Sequence, residues 1–137
     1  MDISGRYEEL IALLGSQLPA PVEQESGDDG SIIFTGGAPP EVVVHLTDAS
    51  VRVSEFACAW ESPESFVVKP RLVGVVKWRR LSETAVMNAV STLIKGAREV
   101  RLARYRACRS CGEKNPPERL FDGACERCAE QPRDVVH

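Results

Sequence analysis

The sequence predicts an α+β fold with an N-terminal helix, a four-stranded antiparallel meander, a long helix and a small cysteine-bearing module at the C-terminus. Apolar residues recur at helical spacing near the start of the chain and again after residue 82. Between these segments lie short, partly alternating apolar runs separated by turn-forming residues. The 137 residues are therefore expected to form one α+β domain over 1–104 and a second module over 105–137.

The first element is predicted to be a short helix. Ser4 suits its N-cap, and the Gly and Pro residues between 15 and 21 end it. Its shared apolar face comprises Tyr7, Leu10, Ile11 and Leu14. The stretch from Glu23 to Gly30 is acidic and bears glycine, so we expect it to be a loop.

Four strand candidates follow, over residues 31–35, 41–47, 51–60 and 66–79. The alternation changes parity near Ser54 in the third candidate, which indicates a bulge, and Pro70 interrupts the fourth. The connections are short, and residues 47–50 suit a tight turn. Because parallel pairing would need crossover elements that the sequence does not provide, an antiparallel meander is favoured.

The longest element is a helix that begins after Ser82, the expected N-cap, with Glu83 in its first turn. Arg101 and Arg104 continue its apolar stripe, so we expect the helix to leave the core near Val100 and to present arginines from there on. The stripe itself comprises Val86, Val90, Leu93, Ile94, Ala97 and Val100.

Two Cys-x2-Cys pairs carry the most specific signal in the sequence. The four cysteines, with 13 residues between the pairs, are Cys108, Cys111, Cys125 and Cys128. Such pairs place four thiolates around one tetrahedral ion, so we expect a zinc ribbon with a structural Zn²⁺ that leaves no open coordination position. Gly112 suits the sharp turn after Cys111. Iron in a rubredoxin-like site and a disulfide framework are the alternatives.

The cysteine module resembles a known bacterial zinc finger. Cys108-x2-Cys111-Gly112-Glu113, followed by residues 117–120 (Pro-Glu-Arg-Leu) and Cys125-x2-Cys128, is similar to the finger of the DksA/TraR family, whose members bind RNA polymerase through its secondary channel. In that family the finger follows a coiled-coil hairpin, whereas here it follows predicted strands. The resemblance implies a bacterial zinc protein with a link to transcription. The rest of the chain resembles small uncharacterised bacterial proteins, and its helix–strands–helix order is similar to that of small α+β adaptor and chaperone-like domains, including secretion chaperones.

Charge is distributed unevenly along the chain. Residues 1–70 hold three Lys or Arg and twelve Asp or Glu, whereas residues 71–109 hold ten Lys or Arg and two acidic residues. The basic segment next to the cysteines could bind nucleic acid or a protein partner, or it could be a solvated helix end paired with the acidic first half. The candidate binding residues are Lys95, Arg98, Arg101, Arg104, Tyr105, Arg106 and Arg109.

The sequence as a whole predicts a non-enzymatic adaptor that binds a protein partner, with a nucleic-acid-binding or transcription-associated regulator as the alternative. Cys58 lies on an apolar strand face and His45 on a polar one, and neither belongs to a recognisable nucleophile–base motif. We expect no catalytic site and no small-molecule substrate. The sequence has no apolar run long enough for a membrane span and no secretory signal, which predicts a cytoplasmic location where thiols stay reduced.

Overall fold

The chain forms two compact units, Met1–Arg101 and Leu102–His137. A computed structural model describes residues 3–62, 65–121 and 124–125. The elements up to the end of the long helix are α1 (Ile3–Gln17), β1 (Val22–Ser26), β2 (Ile32–Gly37), β3 (Pro40–Leu46), β4 (Val51–Glu55), β5 (Cys58–Ser62), β6 (Ser65–Val68), β7 (Arg71–Val76) and α2 (Glu83–Ala103). The predicted α+β class, with an N-terminal helix, an antiparallel sheet and a long second helix, is confirmed.

The main sheet has five strands in the order β1-β2-β3-β4-β7, and every neighbouring pair is antiparallel. The predicted third and fourth strands are each divided in two. Their distal halves, β5 and β6, pair with each other as a separate hairpin between β4 and β7. The break in the fourth candidate falls at Lys69 and Pro70, as the proline indicated.

The fifth strand, β1, lies in the segment that was predicted to be a loop, and that prediction was wrong. Its five residues pair in continuous register with β2, from Val22 opposite Gly36 to Ser26 opposite Ile32. Residues 23–26 are exposed. The backbone hydrogen bonds offered by β2 therefore outweigh the low strand propensity of this polar sequence at the sheet edge.

Both helices contribute to a single core on one face of the sheet. Val42, Val44 and Leu46 of β3 are fully buried, as the alternation predicted. Their neighbours in the cluster include Leu10 and Leu14 of α1, and the cluster extends to Phe34, Val51, Val53, Val76, Trp78, Val86, Val90, Ile94 and Ala97. The opposite face of the sheet carries the alternate residues of the same strands, which are partly or fully exposed.

Trp78 closes one end of this core. The indole is fully buried, and its Nε1 donates a hydrogen bond to the Thr47 carbonyl oxygen at 3.0 Å. The guanidinium groups of Arg6 and Arg79 lie 5.6 and 5.7 Å from the centre of the ring. Arg6 also donates to the carbonyl oxygens of Trp78 and Leu81, so α1 is tied directly to the segment that precedes α2.

Local patterns predicted a helix start and a turn correctly. Ser82 caps α2, since its Oγ accepts a hydrogen bond from the Ala85 amide at 3.2 Å. The predicted turn at 47–50 forms, with the Thr47 Oγ1 accepting from the amides of Ala49 and Ser50. The predicted bulge in the third strand is wrong, because β4 pairs with β3 in continuous register through Ser54 and Glu55. The register shift between β4 and β7 comes from an extra residue in β7, Val73.

The prediction that α2 leaves the core near Val100 was wrong. Val100 is 42% exposed, whereas Arg101 is only 2% exposed. The buried stripe of α2 therefore continues from Ala97 to Arg101, four residues further along the same face of the helix.

Candidate functional site

A short hairpin positions the first cysteine pair. In the second unit, β8 (Arg106–Ala107) pairs antiparallel with β9 (Lys114–Asn115), and the loop between them runs from Cys108 to Glu113. A second pair of short strands, β10 (Leu120–Phe121) and β11 (Ala124–Cys125), is also antiparallel. Cys108 thus directly follows β8, and Cys125 is the last residue of β11.

The loop of the first hairpin folds into a compact turn around Cys108. The Cys108 amide donates to the Glu113 carbonyl oxygen, and the Gly112 amide donates to the Cys108 carbonyl oxygen, each at 2.8 Å. The Ser110 amide points at the Cys108 Sγ, at 3.4 Å. An N–H group directed at sulfur stabilises a thiolate and orients it, which is what a metal ligand requires.

Gly112 makes this turn feasible. Its φ angle is +78°, in the left-handed region that other residues rarely adopt. The glycine lets the chain reverse directly after Cys111 and return along β9. Cys111 is exposed at the surface of the turn, whereas Cys108 is only 2% exposed.

Few apolar groups support the second unit in the part of it that the structure describes. Cys108 and Ala124 are buried together, and Leu120 packs against them while partly exposed. Pro116 is also buried. Clusters of this size bury too little surface to hold a chain segment in one conformation against its conformational entropy.

The second cysteine pair is described only in part. Cys125 lies in β11, with its backbone opposite Leu120. Cys128 lies outside the described residues. Within residues 3–62, 65–121 and 124–125, no three His, Cys, Asp or Glu side chains are grouped as metal ligands. The four-cysteine Zn²⁺ site therefore stays a prediction. The structure describes the segment of its first cysteine pair, Cys108–Gly112.

Arg101 does not lie on the predicted basic surface. Its guanidinium is buried, its Nε donates to the Pro40 carbonyl oxygen at 3.1 Å, and its Cζ lies 5.1 Å from the centre of the Phe56 ring. This arginine therefore holds α2 to the start of β3 and is not available to a phosphate or to another external ligand. The signal that could have revealed this was its place on the α2 stripe.

The other predicted binding residues differ in their contacts and in their exposure. In the first unit, Arg98 forms an ion pair with Glu41, with 3.0 Å between Nε and Oε1, and Lys95 is exposed. In the second unit, Arg106 donates to the carbonyl oxygens of Ala103 and Tyr105, which closes the end of α2. Arg104 and Arg109 are exposed, and Tyr105 is half-buried.

An ion pair between a buried glutamate and an exposed arginine in the first unit was not predicted from the sequence. Glu55 is 2% exposed, and its Oε1 lies 3.3 Å from the Nη1 of Arg71 on the neighbouring strand. Glu55 follows Val51 and Val53 at alternate positions, which was the available signal for an inward-facing side chain. Its partner lies directly opposite in the register, so the pair ties β7 to β4.

The outer face of the five-stranded sheet carries partly and fully exposed side chains. In register across the sheet, Glu25, Ile33, His45, Arg52 and Val75 follow one another on this face. His45 is half-buried there, in agreement with its predicted polar-face position, and Ile33 and Val75 are exposed. Cys58, expected to be a core residue, is only half-buried in β5.

The polar groups in the surface depressions near α1 are engaged in holding the fold. The Tyr7 hydroxyl donates to the Gly30 carbonyl oxygen at 2.9 Å, and burial, aided by the carboxylates of Asp48 and Asp29, raises the pKa of Tyr7. The Asp29 carboxylate accepts hydrogen bonds from the hydroxyl and the amide of Ser31, which lower the pKa of Asp29. These contacts tie α1 to the turn between β1 and β2.

Comparison with known proteins identifies no relative. The chain matches no protein-family model, and no curated protein and no solved structure matches it. The resemblance of residues 108–128 to a bacterial zinc finger therefore stays a prediction. None of the helices in the described part of the chain combines the length and the apolar character needed to cross a membrane.

Proposed function

We propose that this chain is a non-enzymatic adaptor of a reducing, cytoplasmic compartment, in which a structural Zn²⁺ bound by Cys108, Cys111, Cys125 and Cys128 holds the C-terminal unit together. A protein partner would bind a surface of the five-stranded unit. The observation that carries the proposal is the turn at Cys108–Gly112, where a backbone amide is directed at a cysteine sulfur.

The chemistry of this turn favours a metal over a disulfide. Its two cysteines are separated by two residues, and the turn closes through backbone hydrogen bonds from Cys108 to Glu113 and from Gly112 to Cys108. Four thiolates form a closed tetrahedral shell around Zn²⁺, with no position left for a reactive water. Zinc would therefore stabilise the fold here and would not take part in a reaction.

The small core of the second unit supports the same proposal. Cys108, Ala124, Leu120 and Pro116 are the buried or partly buried groups around which the described part of this unit packs. In domains of this kind, the free energy of metal binding takes the place of the missing hydrophobic burial. A partner-binding role is supported by the sheet, because both helices cover the same face and leave the other face open.

The metal content of the purified protein tests this proposal. We expect one Zn²⁺ per chain by elemental mass spectrometry, and the spectrum of a tetrahedral four-thiolate site after replacement by Co²⁺. Cys108→Ser and Cys125→Ser should each lower zinc retention strongly. Cys58→Ser provides the matched control, since this cysteine lies in β5 outside the motif and its loss should leave the zinc content unchanged. A wild-type protein purified under reducing conditions without metal would contradict the proposal.

Nucleic-acid binding is the alternative, and the arrangement of the arginines supports it less. Arg101 is buried, Arg98 is paired with Glu41 and Arg106 is hydrogen-bonded to the end of α2. A phosphate-binding surface would have to rely on the exposed residues Lys95, Arg104 and Arg109.

Salt dependence distinguishes the two roles. Binding to DNA or RNA should weaken steeply with rising salt, by roughly one log unit per log unit of salt for each phosphate neutralised, and Arg104→Glu with Arg109→Glu should abolish it. A protein contact through the sheet should survive this double substitution.

A further inference from the structure

The outer edge of β7 is an open sheet edge. β7 is the last strand in the order β1-β2-β3-β4-β7, and β4 is its one neighbour among the described strands. Alternate amide and carbonyl groups of β7 therefore face away from β4. Such an edge can accept another extended chain through backbone hydrogen bonds.

This edge is unusually apolar for an open one. Leu72 is 52% exposed, and Val73 and Val75 are about equally accessible at 38% and 40%. On the inner side, α2 closes over β7, because a Cβ atom at Gly74 would lie 2.6 Å from the Leu93 Cδ2. The exposed apolar side chains and the outward backbone groups thus lie together at the outer face and edge. The opposite edge strand, β1, is instead protected by Glu23 and Glu25.

Cations lie at both ends of the apolar edge. Lys69 precedes its centre and Lys77, Arg79 and Arg80 follow it, all are exposed, and residues 65–80 contain no Asp or Glu. Arg71 is exposed as well, but its charge is paired with Glu55. Arg52 of β4 adds an exposed cation beside Val75 on the outer face. The charges at the two ends favour an extended segment that carries carboxylates at both ends of an apolar centre.

A second copy of this chain fits the edge poorly. Two β7 strands side by side would bring two sets of these cations together, which opposes association. β1 of another copy has carboxylates but not the apolar side chains, since four of its five residues are exposed polar residues. Pairing of β1 with β7 would be a head-to-tail contact, which generates rings or open chains of many copies and not a closed dimer.

We infer that β7 is the docking site for an extended peptide segment of a partner protein, a segment with an apolar centre and acidic residues at both ends, which adds to the sheet as a sixth strand. The inference deepens the proposed adaptor role and rests on it for the expectation of a protein partner. It does not depend on zinc, so the metal measurement and the peptide measurement fail independently.

The test uses synthetic peptides and the full-length protein. The probe is a fluorescently labelled peptide of alternating valine and threonine with two glutamates at each end, and binding is followed by anisotropy. A peptide of the same centre with lysines at both ends should bind at least about tenfold more weakly at low salt, and the difference should shrink as salt rises.

Two further peptides test strand addition itself. Both are N-methylated at alternate residues of the centre, one at the valines and the other at the threonines. Successive amides of a strand point to opposite edges, so only one methylated set should face β7. That peptide should bind about tenfold or more weakly than the unmethylated probe, and the other should retain its affinity. Equal affinities of the two methylated peptides would overturn the inference.

Matched protein variants locate the site. Leu72→Asp should abolish binding of the acidic probe, whereas Ile33→Asp, an equivalent exposed apolar position on β2, should not. Lys77→Glu should weaken binding severalfold more than Lys95→Glu on α2 does. If a β7 variant and its control lost binding equally, the binding site would not be the edge of β7. Concentration-dependent polymers that Glu23→Lys dissolves would instead assign the edge to β1 of another copy.

Discussion

The two units of this chain differ in the apolar core that their described residues form. The unit Met1–Arg101 buries a continuous cluster of aliphatic and aromatic residues between two helices and one face of a sheet. In the unit Leu102–His137, the described core consists of Cys108 and Ala124, with Leu120 beside them. Hydrophobic burial can hold the first unit. The described core of the second unit is small, and the turn around Cys108 supports the proposal that metal binding stabilises this unit.

This difference separates the parts of the chain on which function and stability depend. The apolar stripe of α2 and the buried face of β3 serve the core, and the open edge at β7 is free for a partner. The Cys108–Gly112 turn, in contrast, carries two of the four proposed zinc ligands, Cys108 and Cys111. Perturbations aimed at the metal and at the core should therefore have different and separable effects.

Removal of the metal should give the largest effect. Chelation or Cys111→Ser should unfold the second unit from Cys108 to Cys125, because structural zinc in small domains contributes on the order of 10 kcal/mol of binding free energy. Hydrogen exchange should become fast for the amides of Cys108 and Gly112, which are now hydrogen-bonded, and stay slow in β3. Cys58→Ser should change neither. If β3 lost protection together with Cys108, the two units would not be separate in stability.

Truncation of the core tryptophan should destabilise the first unit and leave the second unit unchanged. Trp78→Ala removes a fully buried ring and should lower the free energy of unfolding of the first unit by about 3 to 5 kcal/mol. Trp78→Phe keeps much of the packing and loses the hydrogen bond to Thr47, so it should cost less, about 1 to 2 kcal/mol. Both are measured by urea denaturation, and zinc content should stay unchanged in each. Loss of zinc in Trp78→Ala would show that the core and the metal site are coupled.

Two arginines three residues apart on α2 allow a finer comparison. Arg101→Ala removes a buried guanidinium bound to the Pro40 carbonyl oxygen and should destabilise the first unit by about 2 to 3 kcal/mol. Arg98→Ala removes a partly exposed ion pair with Glu41 and should cost about 0.2 to 1 kcal/mol. The difference in urea midpoints measures the effect of burial. Equal destabilisation by the two substitutions would mean that the contact of Arg101 with Pro40 contributes little.

Arg101 also shows where sequence reasoning succeeded and where it failed. Periodicity located α2, the alternation placed Val42, Val44 and Leu46 in the core, and Ser82 was recognised as a cap, because these depend on local chemistry. The place of Arg101 on the α2 stripe was a local signal for its burial. Its partners, a carbonyl oxygen 61 residues away in the chain and the Phe56 ring, are not encoded by any local pattern.

The same limit applies to β1 and to the candidate sites. β1 forms because β2 offers it hydrogen bonds, so its polar sequence misled the prediction. The open edge at β7 follows from strand order, which the meander prediction did not resolve. The turn at Gly112, in contrast, was predicted from the cysteine spacing alone, because a Cys-x2-Cys-Gly segment strongly restricts the backbone.

Acidification should give the smallest and most local effect in the first unit. The hydrogen bonds from Ser31 lower the pKa of Asp29 below its ordinary value of 3.8. A carboxylate with a lowered pKa stabilises the folded state at every pH above its ordinary value, and this stabilisation is lost as the pH falls below 3.8 and through the lower pKa. The turn between β1 and β2 should therefore loosen only below about pH 4, whereas protonation of the cysteines should release the metal at a higher pH.

Amide exchange of Ser31 and zinc release, followed in one pH titration, check this order. Zinc should leave first, with the β1–β2 turn intact, and the protection factor of the Ser31 amide, its exchange rate relative to the intrinsic rate at the same pH, should fall later. Asp29→Asn keeps a carbonyl acceptor for the Ser31 amide but cannot ionise, so it should remove the pH dependence of this protection factor and leave zinc release unchanged. Loosening of the turn at the pH of zinc release would mean that the metal-held unit and the core-held unit respond to acid as one body.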